Sequence, residues 1–306
     1  MGPTAVGKSD LLLDICNAEH EVISADSMQV YRHLDIGTAK PIRGVRNRIP
    51  HHLIDVADPA CQFTVGEFVR RADALTAAIV NRKHVPIVSG GTAFYVKSFV
   101  CGLPCCPPGC PVERSRLKKA CRERGSAYLY SELKRVDPTS AAKIHQNDEY
   151  RIIRALEVHA TAKRNLSTFA RPTEARECYA FLLIGLSRER RALYARIDRR
   201  VEQMFAEGLA DEVRRLLNAG YREQDPGMRG IGYKEFFEMK RGCMSMEALK
   251  ELIKRNSRRF AKRQLTAFRS LPGVRWFQAD DAQGIADTVA RFLGSSEPPL
   301  DSISSV

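Results

Sequence analysis

Two glycines, a lysine and a serine stand at fixed spacing at the start of this chain: Gly2, Pro3, Thr4, Ala5, Val6, Gly7, Lys8 and Ser9. That pattern suits one kind of chemistry. Glycines let successive backbone amides turn inward on phosphate oxygens, the lysine adds a point charge, and the serine hydroxyl at a helix N-terminus can hold Mg²⁺. The stretch is therefore the candidate phosphate cradle, with Ser9 the candidate Mg²⁺ ligand. A second candidate is Asp26, which ends the strand-like run Glu21 to Asp26. Ligands collect at such strand ends in open α/β sheets. By itself this carboxylate reads equally as a helix cap, a loop residue or a general base. A third run, Val85 to Ser89, ends in Gly90, Gly91 and Thr92 rather than in the metal-binding Asp of many P-loop ATPases. This weakens a motor reading and leaves a small-molecule kinase open.

The elements that must position these residues follow from periodicity. Glu21 to Asp26 and Val85 to Ser89 read as strands, and Ser9 to Asn17 and Val65 to Asn81 as helices. Alternation of this kind implies a parallel α/β sheet. Gly102 to Pro111 is a Pro/Gly break, and Val112 to about Lys163 reads as an inserted all-helical module. Cys178 to Leu186 is an apolar run expected to return to the sheet, followed by helices to about Arg269 and a short strand at Val274 to Phe277. The expected organisation is a P-loop-type α/β core over 1–103 and 170–277, a helical domain over 112–165, and a disordered Ser/Pro-rich tail over 294–306. A P-loop normally follows a buried parallel strand, and only Met1 precedes Gly2. The expectation is that this first strand is missing from the written sequence and that translation begins upstream.

The chain has 306 residues and a net charge of +13, which points to a polyanionic partner if the charge is clustered. It is clustered. Lys254 to Arg269 carries seven basic residues and no acidic one, and Arg188 to Arg200 carries six arginines against Glu189 and Asp198. No apolar run is long enough to span a bilayer, and no signal pattern opens the chain, so no membrane role and a cytoplasmic location are expected. Nine cysteines, four of them within Cys101 to Cys110, lack the paired spacing of a zinc site and read as free thiols. His51 and His52 form no evident metal set, and His51 reads as structural.

The basic segment can be laid on a helix. Arg255, Arg258, Arg259, Lys262 and Arg269 fall within an arc of about 100°, with Ile253, Phe260, Ala261 and Phe268 on the opposite side. Such a helix would pack by one face and offer arginines to RNA phosphates with the other.

Taken together the motifs resemble a known family, the bacterial tRNA dimethylallyltransferases. The resembling residues are the cradle Gly2 to Ser9, Ile23 to Tyr31, Asp35 to Pro41, Pro50 to Asp55 and Gly90 to Tyr95. Asn147 to Glu157, Arg229 to Tyr233 and Lys262 to Arg269 follow in the family's order, so the resemblance covers about Gly2 to Phe277. It implies transfer of the dimethylallyl group from dimethylallyl diphosphate to N6 of the adenosine just 3′ of the tRNA anticodon, with release of diphosphate. The cradle would then hold a prenyl donor, not ATP. Asp26 would be the base, Thr92 a residue important for activity, Arg229 a grip on diphosphate, and Arg114 a looser match to another active position. Family RNA-contact segments fall on Asp26, Ser27, Met28 and Gln29; on Tyr150, Arg151, Ile152, Ile153 and Arg154; on Arg229, Gly230, Ile231, Gly232, Tyr233 and Lys234; and on Lys262, Arg263, Gln264 and Arg269. The family is typically monomeric, and the implied partners are a tRNA anticodon stem-loop and dimethylallyl diphosphate with Mg²⁺.

Two rival readings stand beside this one: a P-loop small-molecule kinase, and a catalytically impaired RNA-binding homologue. The basic helix yields a direct expectation. Arg258→Ala and Arg259→Ala should each weaken binding of an anticodon stem-loop and lower the slope of log affinity against log salt by about one unit. Unchanged slopes would remove the RNA role of this helix.

Overall fold

The computed structural model describes residues 1–170 and 172–295, which form two compact units, 1–100 with 176 onward and 101–175. In the first unit α1 (Lys8–Ile15) leads to β1 (His20–Ser24), α2 (Arg43–Arg48), β2 (His51–His52), α3 (Val65–Asn81), β3 (Val85–Ser89) and α4 (Ala93–Cys101). The strands form a parallel sheet in the order β2-β1-β3. β1 lies in the middle and is buried at every position, its polar His20, Glu21 and Ser24 included. The helix α3 starts where Thr64 Oγ1 accepts the Glu67 amide, and it buries Phe68, Ala72 and Ile79 at helical spacing. At the lower end of β1, Glu21 is buried and accepts from His52, Arg82 and His84. Burial alone would raise its pKa, but these hydrogen bonds prevail and pull it down to about 2.

The second unit is all-helical: α5 (Pro111–Arg124), α6 (Ser126–Val136), α7 (Pro138–Ala141) and α8 (Glu149–Ala162). Leu117, Leu129, Leu133, Ile152 and Ile153 form its core. The unit is wider than the 112–165 read from sequence because side chains of α8 fasten the connector. The fully buried Glu157 accepts the Cys110 amide at 2.7 Å, Arg114 at 2.9 Å and Arg154 at 2.8 Å. Arg154 also donates to the Pro107 carbonyl at 2.6 Å.

The chain then returns to the first unit through β4 (Ile184–Ser187), α9 (Arg190–Ala206), α10 (Leu209–Asn218), α11 (Lys234–Gly242), α12 (Met246–Arg269), β5 (Arg275–Gln278) and α13 (Ala282–Ser295). β4 and β5 pair in parallel as a separate two-stranded sheet. Met1 runs beside β4, its amine donating to the Ile184 carbonyl at 2.7 Å and its carbonyl accepting the Leu186 amide at 2.9 Å. The apolar run from Cys178 is a strand only from Ile184. Tyr179 and Phe181 instead pack on Phe99, with ring centroids 5.7 and 5.9 Å away, under the Arg176 guanidinium that Asp73 holds. The tail expected over 294–306 is described only at its first two residues. Gly294 and Ser295 close α13, whose buried Ile285 and Thr288 seat it on the core, and 296–306 lie outside the described residues.

Candidate functional site

The cradle sits where β4, α9 and α12 converge on α1. Val6 and Leu11 pack with Leu186, Leu193, Ile197 and Ala261 in one buried cluster. That packing fixes the loop from below and brings α9 alongside it. Gly7 is the N-cap of α1 at φ 117°, a left-handed conformation that favours glycine, and no side chain caps the helix. Amide donors at this end of α1 are thus left for an anion. Lys8 folds across the loop, donating from Nζ to the Gly2 and Pro3 carbonyls at 2.9 and 2.8 Å. Burial pushes its pKa down to about 8; the Asp26 carboxylate opposes that shift and the Arg200 guanidinium adds to it.

The loop opens into a cavity of about 450 Å³ lined by Thr4 to Asp10, Asp26, Gln29, Thr38, Ala39, Gly91, Gln203, Phe260, Gln264 and three arginines, Arg196, Arg199 and Arg200. The arginines divide the work. Arg196 supports the cradle, donating to the Ala5 carbonyl at 3.0 Å and to Asp10 at 3.1 Å. Arg200 has no hydrogen bond or salt bridge among the described residues, and burial depresses its pKa while Asp26 opposes that shift. A guanidinium in this condition is a site for an anion.

Asp26 follows β1. Its Oδ1 accepts the Met28 amide at 2.9 Å and the Gln29 amide at 3.3 Å, and Oδ2 takes no hydrogen bond from the described residues. The free oxygen is what a proton acceptor requires. Thr92 stands next to this turn. Its Oγ1 accepts the Ser27 amide at 2.9 Å and donates to Ser27 Oγ at 3.2 Å, and its own amide donates to the Ala25 carbonyl at 3.1 Å. The Gly-Gly-Thr turn at the end of β3 thus holds the segment that carries Asp26.

The remaining sequence-derived residues separate by burial. The cradle, Asp26, Gln29 and Gln264 come together at the cavity, and Ser27, Met28 and Thr92 adjoin it. Gln264 is not a surface contact: it is buried, accepts the Thr4 amide at 2.9 Å and donates to the Gly91 carbonyl at 2.7 Å, so it struts the cradle against the β3 turn. Arg229 is exposed on a 3₁₀ turn, Pro226–Arg229, and does not line the cavity. The arginines that line the cavity are those of α9. Gly230 packs on the Met28 side chain and Lys234 lies near Glu235, while Gly232 and Tyr233 are buried and Ile231 half-buried. Arg114 and Arg154 are engaged by Glu157 in the helical unit, and Ile152 and Ile153 are in that unit's core, unavailable to RNA. Tyr150 and Arg151 are exposed there, as are Lys262, Arg263 and Arg269 on α12. Arg258 pairs with Asp198 at 2.6 Å and ties α12 to α9, which makes the exposed Arg259 the cleaner probe of phosphate contact. Sequence reasoning noted the α9 arginines only as a charge cluster. Their spacing was a stronger signal: Arg196, Arg199, Arg200 and Gln203 stand at i, i+3, i+4 and i+7, one face of a helix.

A parallel α/β unit with a glycine-lysine-serine loop opening into a cationic cavity defines a P-loop-like fold. A sequence model for "IPP transferase" matches residues 29–271. A tRNA dimethylallyltransferase of Geobacter sulfurreducens is 45% identical over 296 residues, 96% of this chain and 95% of the relative. The tRNA isopentenylpyrophosphate transferase of Bacillus halodurans superposes with a TM-score of 0.69 at 38% identity, covering 96% of this chain and 95% of that one. A eukaryotic dimethylallyltransferase acting on tRNA shares the fold, with a TM-score of 0.78 at 24% identity over 98% of this chain and 80% of its own. The chain belongs to the IPP transferase family.

The depressed pKa of Lys8 gives a pH test. The ammonium loses its proton as pH rises through about 8, so the cradle should lose affinity for an anion above that pH. Binding of inorganic diphosphate, measured by calorimetry, should weaken by about tenfold between pH 7 and 9 beyond the change in Lys8→Arg, whose guanidinium keeps its charge throughout. Parallel profiles for the two proteins would show that Lys8 does not titrate there.

Proposed function

We propose that this chain is a tRNA dimethylallyltransferase. It transfers the dimethylallyl group of dimethylallyl diphosphate to N6 of the adenosine immediately 3′ of the anticodon and releases diphosphate. One observation carries the reading beyond family membership: Asp26, with a free carboxylate oxygen, lines the same cavity as the phosphate cradle and the arginines of α9.

The chemistry sets these requirements. The exocyclic amine of adenine is a weak nucleophile because its lone pair is delocalised into the ring. As the bond from N6 to C1 of the dimethylallyl group forms, N6 must lose a proton, and Asp26 accepts it. The C1–O bond breaks and its electron pair leaves with the diphosphate. Negative charge therefore grows on the bridging oxygen, where cradle amides, Lys8 and Arg200 are placed to stabilise it. The Ser9 hydroxyl, with the Asp10 and Asp26 carboxylates on the same cavity, offers oxygen donors of the kind Mg²⁺ takes, and this ion uses few protein ligands and shares phosphate oxygens. Bound there through Ser9, the ion would supply further charge neutralisation of the diphosphate. Thr92 and Gln264 act through the segments they hold. The exposure of Arg229 supports a contact with RNA rather than with the diphosphate.

The target base is stacked in an anticodon loop and must be extruded to reach Asp26. The exposed cations Arg255, Arg259, Lys262, Arg263 and Arg269 of α12 offer contacts to backbone phosphates, and Tyr150 with Arg151 offers a stacking ring and a charge on the helical unit. We further propose that the protein acts as a monomer in the cytoplasm.

Transfer of labelled dimethylallyl to an anticodon stem-loop tests the reading. Wild type should transfer the label, and Asp26→Asn should lower kcat by roughly 10²- to 10⁴-fold with inorganic diphosphate still bound. Absence of transfer by wild type, with turnover of ATP in its place, would support a kinase. Binding of the stem-loop with neither activity would support an inactive RNA-binding homologue.

A further inference from the structure

Glu212 belongs to no motif and lies on α10, away from the cavity lining, with 3% of its surface exposed. Its carboxylate is surrounded by donors. Oε2 accepts the amides of Asp35 and Ile36 at 3.0 and 2.8 Å. Oε1 accepts the amide of Gly37 at 3.2 Å and the hydroxyl of Tyr233 at 2.7 Å. No cation pairs with it among the described residues, so three consecutive backbone dipoles and one phenol compensate the buried charge. Tyr233 is fully buried, and burial together with Glu212 raises its pKa well above the ordinary value, so it stays a donor. A Cβ at Gly37 would stand 2.6 Å from the Tyr233 ring. Only glycine lets ring and loop meet on this one carboxylate.

The loop so held leads into the site. Its far end is fixed by Lys40, whose buried ammonium donates to the Tyr31 carbonyl at 2.6 Å, to Asp35 at 2.7 Å and to Asp55 at 2.5 Å. Between the two anchors lie Thr38 and Ala39, which line the cavity. Their carbonyls accept both contacts of the Gln29 side-chain amide, at 3.2 and 3.3 Å. The Gln29 backbone amide in turn donates to Asp26 Oδ1. A continuous set of hydrogen bonds thus runs from Glu212 through the loop and Gln29 to the carboxylate assigned as the base.

We propose that Glu212 is a positioning residue for the transfer step: by fixing the 35–37 amides and Tyr233 it sets the wall formed by Thr38, Ala39 and Gln29 and, through it, the orientation of Asp26. The proposal rests on the prenyl-transfer reading. Because the set reaches Asp26 and not the cradle, its loss acts on the reaction rather than on binding of the donor. Glu212→Gln replaces one accepting oxygen by an amide that faces donors. Glu212→Asp keeps both oxygens on a shorter stem. Tyr233→Phe removes a single hydroxyl.

The test measures kcat and the separate KM values for dimethylallyl diphosphate and for the stem-loop, alongside thermal unfolding. Glu212→Gln should lower kcat by about 10- to 100-fold with the donor KM within about twofold of wild type, and Glu212→Asp should recover part of that loss. Tyr233→Phe should lower kcat by about 3- to 10-fold, and adding it to Glu212→Gln should cost less than it does alone, since both act on one group. A kcat unchanged in Tyr233→Phe and Glu212→Gln, with only a lower Tm, would overturn the proposal. So would a donor KM that rises in step with the fall in kcat. If Glu212→Gln does not fold, Tyr233→Phe decides alone. All variants are judged against a wild type that transfers the label, so failure of wild type would count against the function and not against Glu212.

Discussion

Lys8, Arg196, Arg199 and Arg200 share one cavity with Asp26, and the architecture around them keeps these opposite charges close without letting them neutralise one another. Lys8 is spent on loop carbonyls and Arg196 on Ala5 and Asp10, while Arg200 and Asp26 Oδ2 remain without hydrogen bonds from the described residues. Burial makes this costly: it depresses the pKa of both Lys8 and Arg200. An anion would relieve the crowding of cations, and a reacting amine would use the carboxylate. The strain is local, and the cores beneath α1 and between α9 and α12 are what sustain it.

Three struts carry that support to the reacting groups. Gln264 spans the Thr4 amide and the Gly91 carbonyl, Thr92 holds Ser27, and Glu212 holds the loop that holds Gln29. Each uses a polar side chain with both ends satisfied, buried in Gln264 and Glu212 and half-buried in Thr92, so each specifies one geometry rather than a range. α12 serves twice. One side of it buries Ile253, Ala261, Gln264 and Phe268, and the other exposes Arg255, Arg259 and Lys262. The helix that exposes these cations is therefore the helix that braces the Gly2 to Ser9 loop.

Local patterns were legible in the sequence. The cradle spacing, α3 and β3 were readable within a residue or two because periodicity and turn residues are local signals. Faces were legible too where the helix was drawn: Ile253, Ala261 and Phe268 are buried as the wheel requires, and the same wheel puts Gln264 with them. Carrying over whole segments by resemblance hid this, since a block such as Tyr150 to Arg154 mixes exposed and core positions on one turn of α8. Cys178 to Phe181 misled because aromatic residues serve an aromatic cluster as readily as a strand. Glu212 could not be found, since its partners are 21 to 177 residues away and no local pattern records them.

The most direct test is a structure of the protein with an anticodon stem-loop and a non-cleavable thio-analogue of dimethylallyl diphosphate. The account requires the diphosphate in the loop of Gly2 to Ser9 against Lys8 and Arg200. It also requires the adenine flipped into the cavity with N6 within about 3.2 Å of Asp26 Oδ2. A diphosphate bound outside that loop, or an adenine whose N6 faces any group other than Asp26, would contradict it.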